Sequence, residues 1–297
     1  MVNGAVAMTD RPKIRCRQIG PEDLPAVVEL LVRGFPARSR AYWERGLARH
    51  GERRLPPDLP RFGYLLENAD RSVGVLLVLA TAESIGGKLV TRCNLSSWYV
   101  EPEFRSFASQ LMSVAVRHRH VTYVNISASE HTWPIIEAFG FAPYCDGRFT
   151  AFPLLGRAAR GVRVIEIASG DDPDSWRQLP EYELLRAHAG YGWLSLVCSA
   201  PDGDHPFIFQ PFRRWHERLP GMRLIYCRDL GDFARFARPL RRRLLRHGMP
   251  WIAVDANAPI PGLPGFFRKR GDRQYFRGPD QPRLGDLAYT EAALFGP

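Results

Sequence analysis

The sequence predicts a protein of two α/β units, each built on a mixed sheet. Short β-branched runs alternate with amphipathic helical segments along all 297 residues, which is the pattern of α/β and α+β domains. That length suits two domains of roughly 100–200 residues each. One order of elements also occurs twice, which predicts a first domain at residues 1–155 and a second at residues 162–297.

The first unit opens with a predicted strand at Ile14–Ile19 and a helix that begins at Gly20–Asp23, where acidic residues favour a first turn. Apolar residues at helical spacing predict a long helix over residues 104–118. A short helix at Thr132–Phe139 ends at Gly140, which suits a left-handed cap. The remaining predicted elements are a helix at Ser39–His50 and strands at Phe62–Glu67, Val73–Ala82, Arg92–Val100, Val121–Ser127 and Arg148–Leu154.

A small, basic segment at Gly156–Gly161 is the predicted linker, and a similar series of elements follows it. Helices are predicted at Ser175–His188 and Asp232–His247. The proline-rich residues 256–267 predict a loop, since three prolines and two glycines disfavour regular helix. The predicted strands are Val162–Ala168, Trp193–Cys198, Phe207–Phe212, Met222–Arg228, Trp251–Asp255, Gln274–Arg277 and Leu287–Leu294.

Residues recur between the two long helices at an offset of 129 positions. The matches are Phe104, Phe107, Ala108, Leu111, Arg117 and His118 with Phe233, Phe236, Ala237, Leu240, Arg246 and His247. An internal duplication explains them. The alternative is a shared amphipathic period in two helices rich in Ala, Arg and Phe.

Composition limits the class of protein. The longest apolar run, Val73–Ala82, is about half the ~20 residues of a membrane helix, so no membrane span is expected. The first residues lack a secretory leader pattern, and the five cysteines form no C-x-x-C pair, so we expect a reducing cytoplasm and no metal site. A net charge of +10 suits anionic ligands. Without a nucleic-acid-binding motif, charge alone does not predict nucleic acid as a partner.

Two stretches resemble the core motifs of the GNAT acyltransferase superfamily. LSSWYVEPEFRSFASQLMSVAV (Leu95–Val116) is similar to the strand, phosphate-binding loop and helix of that family. SASEHTWPIIEAFGF (Ser127–Phe141) resembles its second motif, a short helix that ends in Gly-Phe. The resemblance covers residues 13–155 and implies a GNAT-like fold, duplicated in tandem if the second unit is a copy.

The resemblance implies that acetyl-coenzyme A or a longer acyl-coenzyme A binds the first unit. Its strand backbone would hold the acyl group, and the helix N-terminus would bind the pyrophosphate through free N–H groups. Ala108 and Gln110 stand where the family has glycine or another small residue. The implied binding residues are Trp98, Tyr99, Val100, Arg105, Ser106, Phe107, Ala108, Ser109 and Gln110. The alternatives are an ordinary strand–helix turn and, for Trp98 and Tyr99, a place in the core.

The family's usual proton donor to the leaving thiolate is a tyrosine, and Ile136 occupies that position here. His131, Ser129 and Glu101 are the nearby catalytic candidates, because each could accept or donate a proton or hydrogen bond. The alternatives are a loop or capping histidine, a helix N-cap at Ser129 and a solvated turn carboxylate at Glu101. Glu291, on the closing predicted strand, is a further candidate site residue, with an ordinary strand position as its alternative.

The resemblance therefore implies an acyl-coenzyme-A-dependent acyltransferase that acts on a small-molecule amine, with a hydroxyl as second choice. The alternative is a catalytically inactive protein of the same fold that binds a ligand or serves assembly. In the second unit Ala234 replaces Arg105, and Asp229 and Asp232 flank the loop, so a degenerate copy is expected. A homodimer is a possible assembly.

Overall fold

The computed structural model describes residues 13–85, 88–152, 161–212 and 220–296. Within these ranges, twelve strands form one mixed sheet. The strands are β1 (Ile14–Gln18), β2 (Gly63–Asn68), β3 (Arg71–Ile85), β4 (Lys88–Val100), β5 (Thr122–Ala128), β6 (Ala142–Ala151), β7 (Arg163–Ile167), β8 (Leu194–Ala200), β9 (Gly203–Phe212), β10 (Gly221–Cys227), β11 (Ile252–Ala256) and β12 (Gly265–Arg277).

Helices cover both faces of this sheet. They are α1 (Leu24–Gly34), α2 (Arg40–Gly51), α3 (Ala108–Ala115), α4 (Trp133–Ala138), α5 (Tyr182–Gly190), α6 (Leu230–Arg246) and α7 (Glu291–Phe295). One core of the first half lies under α3 and α4, where Met112 and Ile136 pack against the sheet. The opposite face buries Val27 of α1, Leu47 of α2 and Phe295 of α7. The fold is therefore a layered α/β structure, as the sequence predicts.

The strand order is palindromic. It runs β1-β2-β3-β4-β5-β12-β6-β11-β10-β9-β8-β7. If each strand of one half is exchanged for its counterpart six numbers away in the other half, the result is the same order read from the opposite end. The parallel pairs β4–β5 and β10–β11 enclose α3 and α6 at matching places in the chain. This topology is compatible with a tandem duplication.

The final strands of the two halves are exchanged. β12 lies between β5 and β6 and is antiparallel to both, while β6 pairs on its other side with β11. Ala151 at the end of β6 is opposite both Ile252 of β11 and Gly265 of β12. The halves are therefore parts of one continuous sheet. The predicted linker falls almost wholly outside the described residues, and the limits at residues 155 and 162 stay a prediction.

The long helix predicted over residues 104–118 is wrong in its limits. Residues Pro102–Phe107 form a 3₁₀ helix, and α3 itself covers only Ala108–Ala115. Phe104 and Phe107 still pack against the core, because residues three apart share a face in a 3₁₀ helix as well as in an α-helix. The apolar period is thus real, but it extends over two kinds of helix.

The predicted closing strand at Leu287–Leu294 is also wrong. Tyr289 has a φ of 57°, which interrupts extended backbone, and α7 begins directly after Thr290. The apparent alternation arises because this segment is buried on several sides between the two halves of the sheet. The loop predicted for residues 256–267 is shorter than expected, since β12 already begins at Gly265.

Among the residues that the structure describes, we found no helix with the length and apolar character needed to cross a membrane.

Candidate active site

The candidate site lies where two parallel strands separate. β4 and β5 pair only through three registered positions, the last joining Asn94 to Val124. The amide of Asn94 bridges the strands where they part, donating to the carbonyl of Val124 at 3.2 Å and to that of Leu95 at 3.1 Å. From residue 95 onward, the edge of β4 that faces β5 has no strand partner among the described residues. A cleft through the sheet results.

A β-bulge shapes the wall of this cleft. The register between β3 and β4 shifts so that Ser97 and Trp98 together face Leu76 alone. Ser97 has a φ of 54°, a left-handed conformation that non-glycine residues adopt rarely and at a cost of about 1–3 kcal/mol. Bulges redirect side chains and often lie beside functional sites. The cleft wall is therefore a place where the backbone departs from regular strand geometry.

The cleft contains a cavity of about 560 Å³. It brings together seven of the twelve residues that the sequence analysis predicted for cofactor binding or catalysis. They are Trp98, Tyr99, Val100, Arg105, Ala108, Ser129 and His131. Arg105 and Ala108 come from the 3₁₀–α3 junction, Ser129 and His131 from the segment before α4, and the other three from β4. The two motifs thus meet at one site, although a helix and a strand separate them in sequence.

The other predicted residues do not line this cavity. Ser106, Ser109 and Gln110 are exposed and Phe107 packs against the core. Glu101 is buried, and its carboxylate pairs with Arg33 at 3.1 Å and with Arg71 at 2.9 Å. The solvated turn carboxylate considered for Glu101 is therefore wrong, since the side chain is buried and paired with two guanidinium groups directly after β4.

The segment before α4 presents two polar side chains to the cavity. Ser129 is the N-cap residue of the 3₁₀ helix Glu130–Thr132, but its hydroxyl makes no capping hydrogen bond. His131 is exposed at the cavity rim. Ile136, at the position of the family's tyrosine, is buried and lines the same cavity. The arrangement puts an apolar wall where that tyrosine would stand and an imidazole one turn before it.

Glu291 was predicted to lie on a closing strand, but it is the first residue of α7 and contacts both strands of the cleft. Its carboxylate accepts hydrogen bonds from the hydroxyls of Ser96 on β4 and Ser127 on β5, so it bridges the two strands just beyond the point where they part. Its backbone N–H donates to the Asn94 side-chain oxygen at 2.8 Å. The sequence contained a usable signal, because Thr290 before Glu-Ala-Ala-Leu is a helix start.

Both halves hold the short helix that carries Glu291. From the first half, Arg49 donates to the carbonyl of Leu294 at 3.0 Å. From the second, Gln210 donates to the carbonyl of Ala292 at 2.6 Å and the Trp193 indole to that of Ala293 at 2.8 Å. The position of Glu291 therefore depends on both halves of the molecule.

A buried ion pair anchors the segment that leads to α7. Asp286 contacts Arg92 of β4 at 3.0 Å and Arg283 at 3.1 Å. Burial alone would raise the pKa of Asp286, but the charges of Arg92 and Arg283 outweigh it and hold the pKa below its usual value. Asp286 is thus an anion that fixes the C-terminal segment against the first half.

The equivalent opening in the second half is filled by the chain itself. β10 and β11 pair at only two positions, ending at Arg223 and Ala253. Beyond that point the segment 285–287 lies along β10: Cys227 donates to the carbonyl of Gly285 at 2.9 Å, and Leu287 donates to that of Ile225 at 2.8 Å. The edge of β10 that corresponds to the open edge of β4 is therefore occupied by hydrogen bonds to residues 285–287.

The N-terminus of α6 is also unlike that of α3. Asp229 is its N-cap, and the carboxylate accepts a hydrogen bond from the N–H of Gly231 at 2.6 Å. Asp232 lies in the first turn and contacts His205 at 3.0 Å. A capping carboxylate neutralises the positive end of a helix and repels a phosphate.

Comparison with solved structures identifies the fold. A GCN5-related N-acetyltransferase from Anabaena variabilis matches with a TM-score of 0.59 at 12% identity, over 93% of this chain and 74% of that one. A putative acetyltransferase from Pyrococcus horikoshii matches with a TM-score of 0.56 at 12% identity, over 97% of both chains. A GCN5-related N-acetyltransferase from Kribbella flavida gives 0.58 at 14% identity, over 90% of this chain and 71% of that one.

No family model matches the sequence, and no curated protein matches it. The structural matches extend over nearly the whole chain, so they include both halves of the sheet. The chain therefore has the fold of the GNAT superfamily, as the two sequence motifs predict.

Proposed function

We propose that the protein is an acyltransferase that moves an acyl group from acyl-coenzyme A to an amine, with Glu291 as the general base. The observation that carries the proposal is the position of Glu291, whose carboxylate bridges Ser96 and Ser127 across the cleft between β4 and β5. A carboxylate at this point lies beside the strand edge that would hold the acyl donor.

The first half offers the groups that acyl-coenzyme A needs. The cavity is about 560 Å³ and is lined by apolar side chains such as Met112 and Ile136, which suit a pantetheine arm. The open backbone edge of β4 after Asn94 supplies hydrogen-bonding groups for an amide-rich chain. Arg105 and the start of α3 are suited to the phosphates, since a guanidinium and a helix N-terminus both favour anions.

The proposed reaction balances without a further reactant. The acceptor nitrogen forms a bond to the acyl carbon, and the carbon–sulfur bond of the thioester breaks. Glu291 takes the proton that the amine loses. His131 at the cavity rim donates a proton to the departing thiolate. It takes the role of the family's tyrosine, because Ile136 occupies the tyrosine's position here and cannot donate a proton.

The second half has a structural rather than a cofactor-binding role in this proposal. Residues 285–287 lie along the strand edge that corresponds to the open edge of β4, and Asp229 caps α6. Both features support one acyl-coenzyme A site per chain and a second half that is a degenerate copy. A cytoplasmic location and a homodimer stay predictions.

The test is a free-thiol assay with acetyl-coenzyme A and longer acyl-coenzyme A species against a panel of amines and alcohols. Saturating acyl-coenzyme A, at 100 times its dissociation constant, should stabilise the folded protein by about 2.7 kcal/mol. Thiol release that depends on an added amine supports the proposal. Stabilisation without thiol release from any acceptor would favour the inactive ligand-binding protein, an alternative that the replacement of the tyrosine by Ile136 supports.

A further inference from the structure

A second cavity lies next to the first. It has a volume of about 290 Å³ and shares Ser127 with the cleft between β4 and β5. Glu291 lines this second cavity and is hydrogen-bonded to Ser127, so its carboxylate stands between the two spaces. Because Ser127 lines both spaces, a molecule in the second cavity would lie beside the proposed base and next to the cleft that is proposed for the acyl donor.

Two arginines lie in the wall of the second cavity. Arg148 and Arg223 converge on a single buried carboxylate: Arg223 Nη2 lies 2.7 Å from Asp255 Oδ2, and Arg148 Nε lies 3.5 Å from Asp255 Oδ1. Both guanidinium groups thus contact the same carboxylate, which also accepts a hydrogen bond from Gln274 at 2.7 Å. Arginine stays protonated at all physiological pH values, so these side chains bring guanidinium groups to the cavity wall at any such pH.

A third arginine stands at the entrance. Arg38 is exposed, lines the cavity and stacks over the ring of Tyr42 with 4.6 Å between its guanidinium carbon and the ring centre. Burial, with a contribution from the Glu291 charge, raises the pKa of Tyr42 to about 12, so its phenol keeps its proton and can donate. The entrance therefore offers two further hydrogen-bond donors.

We infer that the acceptor is a small amine that also carries an anionic group, which these arginines bind while the amine faces Glu291. The inference rests on the proposed function and names the substrate class of the same site. A carboxylate or a phosphate matches the paired N–H groups of a guanidinium. A neutral amine offers these guanidinium groups no anion to bind, and a polyamine would place further positive charge beside them.

The size of the cavity restricts the acceptor further. A volume of about 290 Å³ equals roughly ten water molecules at ~30 Å³ each, which is enough to hold an amino acid. Phe212 lines the same space as Tyr42 and provides an apolar surface for a side chain. The class is therefore an amino acid or a small amino phosphate.

The experiment compares matched acceptor pairs with acetyl-coenzyme A: phenylalanine with phenethylamine, alanine with ethylamine, and phosphoethanolamine with ethanolamine. The anionic member of each pair should have a kcat/KM at least tenfold higher, and the third pair distinguishes phosphate from carboxylate. Arg38→Gln should reduce this preference about tenfold through KM with little change in kcat. Arg40→Gln, which removes a neighbouring arginine paired with Glu29 outside the cavity, should retain it.

Equal kcat/KM values within every pair would overturn the inference and leave the proposed function intact. If no pair is acylated, calorimetry of the same compounds with the coenzyme-A-loaded protein decides. One outcome is that an anionic compound binds, that Arg38→Gln weakens this binding, and that its neutral partner does not bind. This outcome would support the anionic site and refute acyl transfer. Failure of every anionic compound to bind would overturn the inference.

Discussion

Glu291 accepts a hydrogen bond from Ser96 across 195 residues of sequence, and this contact joins the last helix of the chain to the strand that borders the cleft. The same carboxylate accepts a hydrogen bond from Ser127 on the next strand. A carboxylate held by two hydroxyls has a fixed position and direction, which is what a general base requires.

Replacing Glu291 by glutamine removes the proton acceptor but keeps an oxygen that can accept from Ser96 or Ser127. We expect kcat to fall by ~10²–10⁴-fold, with the dissociation constant of acetyl-coenzyme A changed by less than threefold. A free-thiol assay and calorimetry give the two values. Glu44→Gln, an exposed site on α2, is the matched control. Retention of turnover within a few-fold in the Glu291 variant would exclude it as the base.

His131 is the proposed acid for the leaving thiolate, since Ile136 cannot donate a proton. We expect His131→Ala to lower turnover by ~10²-fold or more and to leave acyl-coenzyme A affinity unchanged, because the histidine acts on the departing group. His120→Ala, at another exposed histidine outside the cavity, is the control. If the His131 variant kept wild-type turnover, the proton that the departing thiolate receives would have to come from water or from the acceptor.

Cofactor binding should be confined to the first half. Calorimetry is expected to give one acyl-coenzyme A site per chain, and Arg105→Glu should weaken binding roughly 10–100-fold, the effect of losing a hydrogen bond to a charged group. Ala234→Glu, at the matching place on α6, should leave affinity unchanged. If the Ala234 variant lost binding and the Arg105 variant kept it, the cofactor site would be assigned to the second half instead.

His188 makes stability depend on pH. The ring is buried, with Nδ1 donating to the Leu184 carbonyl at 2.8 Å and Nε2 accepting from the Tyr289 N–H at 3.4 Å. Burial is the main cause that lowers its pKa to about 4, against about 6.5 in an unfolded chain. Between these values the unfolded chain binds more protons, so the free energy of unfolding falls as the pH drops from 6.5 towards 4.

The expected loss from this histidine is about 2 kcal/mol between pH 7.5 and pH 5. Urea denaturation at both pH values measures it, and His188→Gln should show a correspondingly smaller decline than the wild type. A residual decline is expected from His50, another buried histidine whose pKa burial lowers to about 3. An unchanged decline in the His188 variant would show that this ring is not the source.

The sequence predicted those parts of the fold that local patterns determine. Ser39 caps α2 through a hydrogen bond from the N–H of Tyr42, and Gly140 ends α4 with a φ of 80°. These features depend on one or two neighbouring residues, so propensity and spacing reveal them. The same holds for the β4–α3 and β5–α4 motifs, which led to the correct fold.

The exchange of β6 and β12 was not predictable from such patterns. β12 pairs with β5 through residues such as Phe276 and Val124, and nothing in a short window specifies a partner that distant. Glu291 was missed as a central residue for a related reason. The segment that contains Glu291 is buried against both halves, and this gives it a pattern of apolar residues that resembles a strand. The contacts that define the role of Glu291 come from Ser96 and Ser127, which are far away in the chain.

The place of β12 between β5 and β6 has a consequence for how the protein is made. When the ribosome has released residues 13–152, the six strands of the first half exist, yet the strand that separates two of them has not been synthesised. At roughly 5–20 residues per second, β5 and β6 keep unpaired edges for about ten seconds. Such edges pair with other chains when they stay exposed. We therefore expect a gene fragment that ends before Gly265 to aggregate, and the full chain to acquire its fold only after translation has passed its final strand.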